Sequence, residues 1–142
     1  MFIHNQKDCH IIIIERNEKL AAVLNDIVAK HKIKGGLISG LGALKDVEMG
    51  YYELGKRDYI RKTFSEEDYE LISLNGNISL KDGKPYCHLH ASLGCSDFSV
   101  FGGHLFEATV AVTCEISIIS MGFMPERLLN PDVGIATICK IT

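Results

Sequence analysis

The chain has 142 residues, 46% of them hydrophobic, and carries 15 Lys and Arg against 18 Asp and Glu for a formal charge of -3. That is enough to bury one core in a single domain spanning residues 1–142, and the slightly acidic balance gives no basic footprint for nucleic acid beyond Lys30-His31-Lys32 and Lys34. No stretch approaches the roughly 18 apolar residues that cross a bilayer, and Met1-Phe2-Ile3-His4 has no charged segment ahead of an apolar one, so a cytoplasmic protein with no membrane partner is expected.

The run His10-Ile11-Ile12-Ile13-Ile14-Glu15-Arg16 is short, continuous and β-branched, which predicts a strand buried on both faces. Asn17 offers an N-cap, and Leu20, Val23, Leu24, Ile27 and Val28 recur at helical spacing as far as about Lys30. Glu18, Lys19, Asn25 and Asp26 make the other face polar, so this helix should lie against a sheet. Ser39-Gly40-Leu41-Gly42-Ala43-Leu44 follows. It has neither Gly-Lys-Ser/Thr nor the third glycine of a dinucleotide fingerprint, so close backbone packing or a bulge is expected rather than a phosphate loop.

Strands are predicted at Val47 to Leu54 and Asp58 to Phe64, joined around Gly55-Lys56. The alternating charges of Asp58 to Asp68 mark a solvated edge hairpin. Tyr69 to Leu80, interrupted at Asn75-Gly76-Asn77, and Tyr86 to Leu93 flank the turn Lys81-Asp82-Gly83-Lys84. Val110 to Ile118 alternates and Gly134 to Ile141 reads as a last strand, with Met124 to Pro131 an irregular connection between them. One helix and mostly hairpin-linked strands predict an α+β fold, a mainly antiparallel sheet flanked by one main helix. Of the five cysteines, none in C-x-x-C spacing, Cys114 and Cys139 lie in apolar runs and are expected in the core. Alternation turns Cys87 inward as a buried thiol.

Chemistry concentrates in His88-Leu89-His90 and Gly102-Gly103-His104-Leu105. Two imidazoles two residues apart on a strand share a face, and a third framed by glycines can approach them closely, which proposes a metal site of His88, His90 and His104. The His-x-His pair alone also fits an exposed polar strand face; the glycine-framed third histidine raises the metal or polar-cluster reading. His4, His10 and His31 have no comparable setting. Glu107 and Glu70 are available as a further ligand, an acceptor orienting an imidazole, or a base. Glu107 lies beside His104 if that segment is helical and points away if it is a strand.

The succession Ser39-Gly40-Leu41-Gly42-Ala43-Leu44, Gly50-Tyr51-Tyr52, Tyr69 to Ile78, Asp82-Gly83-Lys84-Pro85, His88-Leu89-His90-Ala91 and Gly102-Gly103-His104-Leu105 resembles the plants-and-prokaryotes-conserved (PPC) domain, in order, from about Ile11 to Ile118. The resemblance implies a PPC-like α+β domain assembling as a homotrimer, and His88, His90 and His104 as ligands of a divalent metal, zinc above all. In plants the family's domain follows AT-hook segments that bind the minor groove. This chain has no Arg-Gly-Arg-Pro hook, so direct DNA binding is not supported by its charge. In a trimer, faces bearing Tyr86 or the stretch Phe98 to Phe101 can be buried between subunits. Three roles are therefore expected: a homotrimeric metal-binding protein of regulatory or unassigned role, a DNA-binding or DNA-associated transcriptional regulator, or a metal-dependent hydrolase or lyase.

Overall fold

The computed structural model describes residues 1–142 as nine strands and one helix: β1 (Phe2–Gln6), β2 (Cys9–Glu15), α1 (Leu20–Lys30), β3 (Gly36–Glu53), β4 (Asp58–Phe64), β5 (Tyr69–Lys81), β6 (Lys84–Gly94), β7 (Val100–Ser120), β8 (Pro125–Asn130) and β9 (Ile135–Ile141). The strands form one sheet in the order β1-β2-β7-β3-β5-β8-β9, with β4 paired to β3 and β6 paired to both β5 and β7. Every pairing is antiparallel except a short parallel contact of β5 with β8, so the α+β, mainly antiparallel architecture holds.

Two long strands organise the molecule. β3 pairs β5 through its first half and β7 along its length. β7 in turn pairs β6, and β6 pairs β5, so the path β3-β5-β6-β7 returns to its start. The bending needed for that closure comes from breaks in register, one of them between Gly40 and Gly42. A Cβ on Gly42, at φ +154, would collide with the Thr113 carbonyl and sit 2.7 Å from Cys114 Sγ, which is the close packing the glycine-rich segment announces.

A single apolar core of 26 residues fills the inner face. α1 contributes Leu20, Ala21, Leu24, Ile27 and Val28 from one stripe and lies against β6 and β7. Each fully buried Leu or Val there stabilises by about 1.5–3 kcal/mol. Asn17 does not cap this helix: it sits at φ 70 and accepts from Lys45 Nζ, and the helix begins after Lys19 with no local side-chain cap. The free N–H groups of Ala21 and Ala22 donate to Glu107 Oε1 and Oε2 at 2.8 and 3.1 Å, a cap supplied by a strand far along the chain.

Several expectations are corrected. β2 is buried on one face only, with Ile12 and Ile14 in the core and Ile11 on the exposed outer face of the sheet. β1 itself carried no alternation by which to find it. Asn75-Gly76-Asn77 does not interrupt β5. Gly76 is required inside the strand, since its Cβ would meet His88 O at 2.6 Å. Met124 to Pro131 is largely the strand β8, pairing β9, and Pro125 begins it where no ladder donor is needed. Cys114 and Cys87 are buried as expected, but Cys139 is exposed on β9. The turn at Lys81–Lys84 and the edge hairpin β3–β4 are as predicted, with Asp82 and Gly83 both at positive φ.

Candidate metal centre

The core side of β6 is taken by Cys87, Leu89, Ala91 and Leu93, so strand alternation turns His88 and His90 to the opposite face. There β7 brings His104 directly opposite His90 in the ladder, and the cross-strand partner of His88 is Asn77 on β5. The three imidazoles present one nitrogen each within 4.8 Å of one another, with ring centroids 5.0 to 5.4 Å apart. His90 is exposed and His104 is 6% exposed, so the cluster has a floor and an open side.

Glycine makes this convergence possible by proximity rather than by special backbone angles, since neither Gly102 nor Gly103 lies at positive φ. A Cβ on Gly102 would stand 2.6 Å from Ala91 O and one on Gly103 would stand 2.9 Å from Gly50 O. A Cβ on Gly50 would meet Phe106 Cε2 at 2.5 Å and Tyr59 Cδ1 at 2.9 Å. Those two rings are the walls on which His104 rests, at 4.6 and 5.1 Å between centroids.

The protons can be placed by elimination. Arg127 Nη2 lies 3.1 Å from His88 Nδ1, and a guanidinium only donates, so Nδ1 accepts. The neutral His88 ring therefore carries its proton on Nε2 and donates it to His104 Nδ1 at 3.1 Å. Burial, then Arg127 and the neighbouring imidazoles, lower the pKa of His88 to about 4. Burial, then His90 and the cations Arg61, Arg127 and Lys81, bring His104 to about 4. Both rings are thus neutral at neutral pH, the form that ligates a metal. The 3.1 Å between Nε2 and Nδ1 is close to the roughly 3.3 Å separating two nitrogens on one tetrahedral ion, and with His90 the set spans up to 4.8 Å, so the three histidines could hold a metal ion.

The acidic residues fall elsewhere. Residue 107 lies on a strand, so the Glu107 side chain points away from His104, and both its oxygens are committed to the start of α1. Glu70 pairs with Gly94, four residues along β6 from His90. Neither reaches the cluster, and the base or fourth ligand they offered in the sequence is not at this site. Cys87 faces the core, where burial pushes its thiol up to about 12. Tyr86 lines a cavity beside the cluster, Phe101 packs on Phe64 and Tyr69, and Phe98 is exposed.

Sequence reading missed the groups that complete the site. A cavity of about 260 Å³ beside His88 and His104 is lined by Tyr59, Tyr86, Lys81, Phe106 and Arg127, with the start of β9 as its far wall. Arg127 comes from the segment read as irregular, and nothing marks it among 15 basic residues. On the opposite side of β6, Asn25 of α1 accepts from Cys87 N at 3.0 Å and fixes the strand one residue before His88.

Over residues 1–122 the chain matches the family model of the Plants and Prokaryotes Conserved (PCC) domain. Among solved structures it is similar to a metal-containing protein of Archaeoglobus fulgidus, 31% identical over 98% of this chain and 97% of that one, with a TM-score of 0.88. A plant- and prokaryote-conserved (PPC) protein of Pyrococcus horikoshii is 32% identical over 98% and 95% of the two chains, at 0.83. A candidate DNA-binding protein of Bacteroides thetaiotaomicron is 28% identical over 97% and 96%, at 0.93. No curated protein matches the chain.

Proposed function

Because the chain belongs to the Plants and Prokaryotes Conserved domain family, we propose that it is a single-domain, homotrimeric metal-binding protein whose ion is held by His88, His90 and His104. The observation that carries the reading is the convergence of three ring nitrogens within 4.8 Å on the solvent side of β6 and β7, two of them on neutral, enclosed imidazoles. An all-imidazole donor set suits zinc among the available divalent ions. Three protein ligands leave a coordination position open, where a bound metal would supply Lewis acidity. The similarity to the metal-containing protein of Archaeoglobus fulgidus supports the reading.

The trimer is supported by an apolar surface. Ile11, Leu37, Leu41, Ile72 and Ile119 are each at least 40% exposed on the outer face of β2, β7, β3 and β5. Registers such as Leu37 with Ile119 make them neighbours, a face that association would cover. DNA is a weaker reading for the isolated chain. The Bacteroides relative favours it, but the net charge of -3 does not, and a partner would have to supply the phosphate contacts.

Elemental analysis of the purified protein, beside a His88→Ala/His90→Ala double variant, tests the metal. About one divalent ion per chain is expected in the wild type and none in the variant; equal content in both would remove the site. Zinc as the dominant element would match the assignment, and another element would replace it.

A further inference from the structure

The guanidinium of Arg127 is half-buried and has no counter-ion. Its Nε donates to Ser79 Oγ at 2.9 Å, Nη1 to the Ala136 carbonyl at 3.4 Å, and Nη2 to Asn77 Oδ1 at 2.9 Å and His88 Nδ1 at 3.1 Å. All four partners are neutral, and none of the ion pairs in the molecule includes it, although the chain carries more acids than bases. A charge withdrawn from water and held only by neutral groups costs free energy that an anion would recover.

The space in front of it is built for such an anion. Lys81 is the second cation on the cavity, its Nζ 5.1 Å from the Tyr86 ring, and no carboxylate lines the walls. Tyr59 and Tyr86 also line the cavity, and neither hydroxyl has a partner within the chain, so both are free to donate. Phe106, Ile135 and Ala136 make the remaining wall apolar. The cavity of about 260 Å³ holds a ligand of roughly ten non-hydrogen atoms. We propose that this cavity binds a small organic anion whose carboxylate or phosphate sits on Arg127 and Lys81 and whose body lies against Phe106 and Ile135. An inorganic ion would leave the apolar wall unused.

The inference builds on the metal reading in one respect: Arg127 Nη2 is 3.1 Å from His88 Nδ1, so an anion on Arg127 would bring negative charge close to a cation held by the histidines. The cavity and the ion should therefore favour each other.

Calorimetric titration with benzoate, phenyl phosphate and the uncharged benzyl alcohol tests this, on metal-loaded and metal-stripped wild type and on Arg127→Gln and Lys81→Gln. Benzoate or phenyl phosphate should bind and benzyl alcohol should not, with whichever anion binds more tightly identifying the headgroup. Arg127→Gln should weaken binding by at least about tenfold and Lys81→Gln by a smaller factor. Metal should tighten it. Anions that bind no better than benzyl alcohol would overturn the proposal, as would unchanged affinity in both variants. Should Arg127→Gln fail to fold, Lys81→Gln and the shifts of the Tyr59 and Tyr86 ring resonances in the wild type decide in its place. Metal content is measured on the same samples. Anion binding by a protein that takes up no metal leaves this inference standing without the metal site, and metal uptake without anion binding removes the inference alone.

Discussion

His10 shows how burial sets the charge of a single side chain. It is 7% exposed, its Nδ1 donates to Asn5 Oδ1 at 2.7 Å, and its Nε2 is enclosed without a partner. Burial lowers its pKa. His31, whose ring centroid is 6.2 Å away, acts in the same direction and Asp8 opposes them, while Lys7, Lys32 and Lys34 share the adjoining cavity. The unfolded chain protonates this ring near pH 6.5 and the folded one resists, so the unfolded state binds more protons and stability falls as the pH drops below about 6.5. Urea midpoints at pH 7.5 and 5.0 should therefore diverge less for His10→Gln than for the wild type, and equal differences would refute the assignment. At this scale the sequence was legible where a side chain acts with its near neighbours. His88 and His90 share a face because of strand alternation alone, and Gly102 and Gly103 announced a close approach. Arg127 was not legible, because three of the four groups that hold it, Asn77, Ser79 and His88, lie 39 to 50 residues away and reach it through the β5–β8 and β5–β6 pairings.

Among the elements, α1 depends on a residue it does not contain. Sequence patterning located its buried stripe and its end, but the cap expected from Asn17 comes from Glu107 of β7. The reason is geometric. Lys19 bridges to Thr109 across the start of the helix, and this delivers the Glu107 carboxylate to the free N–H groups. Replacing Glu107 with Ala should cost about 1–2 kcal/mol of unfolding free energy, read by urea denaturation, while metal content stays at the wild-type level. A loss of metal without a loss of stability would return Glu107 to the site. β8 shows the opposite failure: two prolines bracket it, at Pro125 and Pro131, and they masked a strand whose only long pairing is with the chain terminus.

For the whole molecule, the histidines and the apolar surface occupy one side of the sheet. The cross-strand row Ile119-Leu37-Asn77-His88 runs from one to the other through consecutive registers. If that surface holds subunits together, Leu37→Asp should convert the trimer to monomer in light scattering with little change in the monomer's own stability, because Leu37 is already 50% exposed. A trimer that survives both Leu37→Asp and Ile119→Asp would place the contact elsewhere. Fold class and the helix-on-sheet arrangement were readable from patterning. The ring of β3, β5, β6 and β7 was not, since it depends on two strands being long enough, at 18 and 21 residues, to bend and pair twice.

That ring has a kinetic meaning. His90 is paired to Asn75 and His104, and His104 to His90 and Gly50, so these two are held from both sides and cannot be parted by peeling of a strand, whereas His88 is held by Asn77 alone. A chelator would reach an ion held there over the exposed His90, while the fixed His90–His104 pair would keep the emptied site in shape to take an ion back.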